Sequence, residues 1–144
     1  MSKVKEVDDR FKKFGTVSFT SITKTNDFVD YLEDNKVMGT RCKDCGLHFF
    51  PPRADCHQCL SSNMDWFEVS GNGQLVTFSR LQYAPAGFEA DVPYYVALVE
   101  FDECKVFGRI SKDIPDADIS AGMAMKAAVE KLADGRLTYV FQKA

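Results

Sequence analysis

The chain lacks any long apolar run, and none of its hydrophobic stretches approaches the roughly 18 residues that a membrane-spanning helix needs. It opens MSKVKEVDDRFKKF, without the apolar core of a secretory signal. The expected setting is therefore the reducing cytoplasm, where disulfides are rare. It also lacks a surplus of either charge: 18 Lys and Arg face 21 Asp and Glu, for a net charge of −3. Proteins built chiefly to bind nucleic acid rest on clustered Lys and Arg, so this balance argues against that class. No internal repeat or low-complexity tract is visible. What is present excludes general disorder: 45% of the 144 residues are hydrophobic. A chain of this size folds as one or two small domains and buries roughly 68–70% of its unfolded surface.

Four of the five cysteines form two Cys-x-x-Cys pairs, Cys42/Cys45 and Cys56/Cys59, with ten residues between them. Two such knuckles deliver four thiolates from two turns, the tetrahedral donor set that Zn²⁺ prefers. The separation is shorter than in most Cys₄ sites, yet it leaves room for one small β-hairpin between the knuckles. Gly46 follows the first pair, where a tight turn needs a residue tolerant of positive φ. Two disulfides would require an oxidising compartment, and redox chemistry needs only one Cys-x-x-Cys pair. One structural Zn²⁺ per chain is the expectation. Iron in a rubredoxin-like site uses the same geometry, so the spacing leaves that metal open. His57 sits inside a knuckle and His48 in an apolar run, and neither is needed as a ligand.

Three regions follow along the chain. Residues 1–36 form an expected N-terminal helical arm. Its first 13 residues mix charges densely. Residues 26–35 have helical character, with Thr25 or Asn26 as the cap, Asp27 at the positive end, and Phe28, Tyr31 and Leu32 on one face. Residues 37–69 form the expected zinc ribbon, with a short strand at Leu47–Phe50 stopped by Pro51 and Pro52. A unit this small needs a metal as its staple. Ser70-Gly71-Asn72-Gly73 is a turn signal. Beyond it, residues 70–144 hold strand-like runs at 74–83, 94–101, 105–110 and 137–141, with a weakly alternating fifth at 123–130. The fold class is thus mainly β: helix, ribbon, and a five-stranded barrel of the OB-fold type.

The stretch Arg41-Cys-Lys-Asp-Cys-Gly-Leu-His-Phe-Phe-Pro-Pro-Arg53, the pair Cys56/Cys59, Trp66, the Ser70–Gly73 turn, the loop Ala84-Pro-Ala-Gly-Phe88 through Pro93-Tyr94 and the Ala121-Gly122-Met123 turn resemble the DUF35 family. The likeness spans nearly the whole chain. It implies N-terminal helices, a rubredoxin-like ribbon and an acyl-CoA-associated OB-fold. It also implies a role as the small companion of a thiolase-superfamily enzyme, which supplies the nucleophilic cysteine. The companion docks on that catalytic subunit as a hetero-oligomer and helps form the acyl-CoA channel. Settings of the family include archaeal acetoacetyl-CoA thiolase with hydroxymethylglutaryl-CoA synthase, steroid side-chain aldolases, phloroglucinol acetyltransferase and benzoylsuccinyl-CoA thiolase. A free-standing chain of this length looks most like the small subunit of the last.

Acyl transfer needs an activated nucleophile, a base and an oxyanion hole. Cys104 is the one thiol outside the knuckles, and no histidine lies near it in sequence, so no catalytic residue is expected in this chain. For CoA, whose phosphates want cations and whose adenine wants an aromatic face, the candidates are Arg53, Arg80, Lys105 and Arg109 with Tyr83 and Phe88. Phe11, Phe14, Phe28, Tyr31 and Leu32 would be costly to expose and are the candidate partner surface.

The alternative is a ribbon-plus-barrel protein that binds single-stranded nucleic acid, which needs aromatics interleaved with a basic groove. Tyr83, Phe88, Tyr94 and Tyr95 supply aromatics, but residues 70–144 hold eight basic against ten acidic side chains. Filter binding with mixed single-stranded DNA and RNA should therefore give no sub-micromolar, salt-sensitive retention at physiological salt. Such retention would favour the alternative.

Overall fold

The computed structural model describes residues 8–16 and 23–144. The expected charged arm over 1–13 lies partly outside them; within it, Arg10–Lys13 form one 3-10 turn. The one α-helix among the described residues, α1 (Asp27–Glu33), follows. Then come β1 (Met38–Cys42), β2 (His48–Phe49) and β3 (Met64–Glu68), which form a three-stranded sheet in the order β2-β1-β3. The remaining strands are β4 (Gly73–Leu81), β5 (Tyr94–Glu100), β6 (Lys105–Ile110), β7 (Ala124–Lys131) and β8 (Leu137–Lys143). They close into a barrel in the order β4-β5-β6-β8-β7, the OB-fold arrangement. Only β6 and β8 run parallel, through Arg109 opposite Val140 and Ile110 opposite Phe141. Closure between β4 and β7 pairs Gly73 with Met125 and Gln74 with Ala124, and Leu75 adds backbone bonds to Met123 and Gly122 just before β7. No helix among the described residues is long and apolar enough to cross a membrane.

Two local expectations are corrected. Neither Thr25 nor Asn26 caps α1 with its side chain. Asn26 is already helical (φ −62°, ψ −23°), and its amide nitrogen donates instead to the Thr23 carbonyl at 2.8 Å. The chain enters the helix through a preceding turn, closed by Phe28 N–H to Thr25 O at 3.1 Å. The ribbon hairpin does not lie between the knuckles either. β1 pairs with β2, so the first knuckle is itself the hairpin turn. Residues between the knuckles supply only the short β2, because Pro51 and Pro52 end it at once. The weakly alternating run at 123–130 is a full strand, with Met125 fully buried in the barrel.

One core runs through helix, ribbon and barrel. Phe28 and Leu32 of α1 join Val37, Leu75, Val99, Val106, Met125 and Phe141 in a single buried cluster. Phe14, Phe50, Trp66 and Tyr139 pack around it. The ribbon has a second, small cluster of Cys42, Phe49 and Cys56 with Leu47 and Met64. Gly39 on β1 makes the close approach possible: a Cβ there would lie 2.4 Å from the Phe49 carbonyl and 2.7 Å from the Phe67 ring. Backbone cannot yield as a flexible side chain can. Gly39→Ala should therefore destabilise the metal-loaded chain by about 1–3 kcal/mol, read as a lowered midpoint in denaturant unfolding. An unchanged midpoint would show that the β1–β2 pairing has slack.

Candidate metal centre and barrel loop

The strand ends aim the thiols at one point. Cys42 closes β1, and its N–H bonds the Leu47 carbonyl at 2.9 Å across the first knuckle. Gly46 N–H then reaches back to the Cys42 carbonyl at 2.8 Å, and Gly46 has φ +80°, as its place in the turn requires. The second knuckle repeats the pattern: Leu60 N–H to Cys56 O at 3.0 Å. Here the left-handed position is held by a leucine, φ +62° and 83% exposed. Such a conformation costs a non-glycine residue about 1 kcal/mol. The signal for it was the register of Leu60 with Gly46. Lys43 N–H to Asn63 O at 2.9 Å and an Asp44–Ser61 side-chain bond stitch the two knuckles together.

All four sulfurs lie within 4.8 Å of one another. Cys42 and Cys59 are 3.4 Å apart, and Cys45 and Cys56 are 3.5 Å apart. A disulfide would need about 2.05 Å. Four thiolates at a Zn–S distance of about 2.3 Å sit about 3.8 Å from each other, so the cluster fits that ion. At the two buried thiols the backbone favours the thiolate, whereas neighbouring thiols raise Cys45 and Cys59. N–H groups of Cys45 and Asp44 point at the Cys42 sulfur and lower its pKa. N–H groups of Cys59 and Gln58 do the same for Cys56, pulling it down to about 7. Neither histidine joins the cluster: His48 packs edge-on against Phe67 and His57 against Phe49. Cys42 and Cys56 are buried, whereas Cys45 and Cys59 face outward.

The candidate CoA residues do not form one group. Arg53 stays on the ribbon, 5.5 Å over the Phe49 ring, with its backbone N–H and carbonyl both bonded to the Thr40 hydroxyl at 2.8 Å. Lys105 begins β6 opposite Glu100, four residues or about 13 Å along the strand from Arg109. Arg109 and Phe88 do meet, 5.0 Å apart. Arg80 faces Asp116 at 3.8 Å beside a cavity of about 220 Å³ that Tyr94, Tyr95 and Lys112 also line. Tyr83 is 91% exposed. Sequence reasoning missed Asp91, Tyr94 and Lys112 as partners of this group; the Pro93-Tyr94 pair was the visible hint.

Two of the five candidate partner residues do not lie on the surface. Phe28 and Leu32 are buried in the chain's own core. Phe14 lies 5.6 Å from Phe28 and 6.5 Å from Tyr139, and Phe11 stacks on Phe28 at 6.3 Å. Tyr31 rests on Trp66 at 5.1 Å. Packing within the chain covers Phe28 and Leu32 fully and Phe11, Phe14 and Tyr31 in part, because α1 lies across the barrel and the ribbon. Arg10 fastens the turn before it, bonding Asp8 at 2.7 Å and Asp27 at 2.9 Å, with Asp30 as a third partner. The Arg10 guanidinium in turn holds the Asp8 carboxyl below the usual carboxylate range.

Fold and site together define a class: a four-cysteine, rubredoxin-like zinc ribbon joined to an OB-fold barrel. The comparisons agree. The ChsH2 rubredoxin-like zinc ribbon domain matches residues 29–65, and the ChsH2 C-terminal OB-fold domain matches residues 66–130. The chain belongs to the DUF35 family. It is 32% identical over 112 residues to a DUF35 domain-containing scaffold protein of Methanocaldococcus jannaschii, covering 74% of this chain and 79% of the relative. A scaffold protein of the same description from Pyrococcus furiosus is 30% identical over 116 residues, covering 78% of this chain and 85% of the relative. Among solved structures, the Ltp2-ChsH2(DUF35) aldolase has a chain with TM-score 0.69 and 25% identity, covering 87% of this chain and 98% of that one. A DUF35 protein of unknown function from Sulfolobus solfataricus shares the fold at TM-score 0.53 and 20% identity, over 82% of this chain and 81% of that one.

Cys104 sits in the β5–β6 turn, where Phe101 N–H bonds its carbonyl at 2.9 Å. Burial, with Glu103 adding repulsion, pushes its thiol from 9.0 up to about 11. That is the wrong direction for a nucleophile, since the thiolate is the reactive form. With the knuckles metal-loaded, iodoacetamide should label Cys104 about 100-fold more slowly at pH 8 than a free thiol, and the rate should climb until pH about 11. Fast labelling with a midpoint near pH 7 would restore Cys104 as a candidate nucleophile.

Proposed function

We propose that this protein is the zinc-containing scaffold subunit of a thiolase-superfamily complex that makes or breaks carbon–carbon bonds in acyl-CoA thioesters. One observation carries the reading: the chain matches, over nearly the full length of that chain, the DUF35 component of a structure whose name joins it to Ltp2 as an aldolase. The relatives named scaffold proteins support the same role. In this reading Cys42, Cys45, Cys56 and Cys59 hold one Zn²⁺. Four thiolates leave it no open position, so it supplies structure and no Lewis acidity. The partner brings the nucleophile, consistent with the raised Cys104 thiol. The 82–93 loop then faces the acyl-CoA channel, with Arg80 beside the aromatic pair Tyr94 and Tyr95 as the cation nearest a phosphate. The specific setting we propose is a thiolase of the 2-benzoylsuccinyl-CoA type, working in the cytoplasm.

The test is co-expression with a thiolase-like gene from the same operon. The two chains should co-purify, and elemental analysis should find one zinc per scaffold chain. CoA-dependent cleavage should need both. Arg80→Ala should raise the KM for the thioester roughly 10- to 150-fold, since a charge-assisted hydrogen bond contributes about 1.5–3 kcal/mol, while the zinc stays in place. A thiolase fully active alone, with no complex formed, would defeat the proposal. Metal-free but fully folded protein would defeat the zinc assignment.

A further inference from the structure

The 82–93 loop joins β4 to β5, and its backbone makes no ladder to the barrel among the described residues. Its hydrogen bonds are internal: Phe88 N–H to Pro85 O at 3.1 Å, Asp91 N–H to Phe88 O at 3.0 Å, and Gly87 N–H to the Glu89 carboxylate at 2.8 Å. Such a loop would swing freely unless side chains held it. Two do. Arg109, from the adjacent part of β6, donates to the Asp91 carboxylate at 3.1 Å, and Lys112 donates to the Asp91 carbonyl at 2.8 Å. The same Arg109 guanidinium lies 3.9 Å from the centre of the Tyr94 ring and 5.0 Å from that of Phe88. One cation thus gathers the middle of the loop, its end, and the first residue of β5. The Arg109 and Asp91 side chains are only 28% and 32% exposed, so solvent screens the pair less than an open surface bridge.

The ion pair and the two ring contacts give this guanidinium a structural task within the chain itself. We propose that Arg109 is a positioning residue: it clamps residues 88–94 to the barrel so that the other end of the loop, with Tyr83 fully outside, is presented to the catalytic partner in one conformation. The presentation to a partner rests on the scaffold reading above; the clamp does not. Lysine is a poor substitute, because it keeps the charge but loses the planar face that stacks on Tyr94.

Hydrogen exchange on the zinc-loaded full chain tests the clamp, comparing wild type with Arg109→Leu, Arg109→Lys and Asp91→Asn. In Arg109→Leu the amides of residues 84–92 should exchange about tenfold faster, as expected for losing a partly desolvated cation–π contact and its ion pair. Arg109→Lys should fall between Arg109→Leu and wild type. The core amides of Val99 and Val106 should not change. Unchanged loop exchange, or loop and core rising together as in general loosening, overturns the clamp. In the assembled complex Arg109→Leu should raise the thioester KM about tenfold while kcat stays within about twofold, with Arg109→Lys again in between. A loosened loop with a wild-type KM overturns the positioning role. A wild-type chain that forms no complex sinks the scaffold reading instead, and the exchange data then judge the clamp alone.

Discussion

The ribbon is too small to bury itself, and this constraint shapes the rest of the molecule. Its own interior is three buried side chains, Cys42, Phe49 and Cys56, with Leu47 and Met64 at the margin. Ordering each residue costs about 1–2 kcal/mol of backbone entropy, which so few apolar contacts do not offset. Two of those three buried side chains are also metal-ligand candidates, so the interior and the metal centre are one structure. A bound zinc therefore acts as core rather than as an addition to it. At its other end the ribbon borrows the barrel. Val37 lies in the main cluster, and Phe50, Trp66 and Phe67 pack against it.

Tyr139 is where the parts meet. From β8 it packs edge-on against Phe50 of the ribbon at 5.1 Å and stacks on Phe14 of the N-terminal segment at 6.5 Å. Its hydroxyl donates to the Phe107 carbonyl at 2.7 Å, and burial pushes its pKa up to about 12. Gly108 makes room for the ring, since a Cβ there would lie 2.8 Å from it. An aromatic seam of this kind fixes orientation as well as distance. It also engages Phe14 of the N-terminal segment. Among the described residues, the large apolar side chains left exposed are Leu60 on the second knuckle and Tyr83, Phe107 (61%), Val76 (41%) and Phe78 (36%) on or next to β4 and β6.

Much of this was legible in the sequence because the signals were local. The knuckle spacing, the proline stop after β2, the Ser70–Gly73 turn and the β-branched runs each depend on neighbours a few residues away. The strand read at 105–110 has those same bounds in the structure. The misses were non-local. Asn26 looks like a cap, yet its helix is entered from a preceding turn. Phe28 and Leu32 form a stripe that fits an internal face or a partner equally well until the barrel beneath them is known. Arg109 looks like a free cation, but its partner Asp91 stands 18 residues earlier and arrives only when β5 pairs with β6. Pairing energies that decide a charge's availability follow from topology, which periodicity does not encode.

Both rigid devices in this chain, the four-thiolate knuckles and the Arg109 clamp, place groups rather than transform them. The proposed zinc has no vacant position, and the one other thiol is held protonated by its surroundings. Precision of placement is nonetheless chemically valuable, because misplacing a substrate by about 1 Å can cost about 100-fold in rate. In the scaffold role proposed above, this chain would gain nothing from reactive groups of its own, which would invite side reactions. It gains from stiffness at the points of contact. The sequence spends its unusual residues accordingly: cysteines and Gly39 on the ribbon, Gly108 under the aromatic seam, and one arginine on a loop that lacks any backbone tie to the barrel.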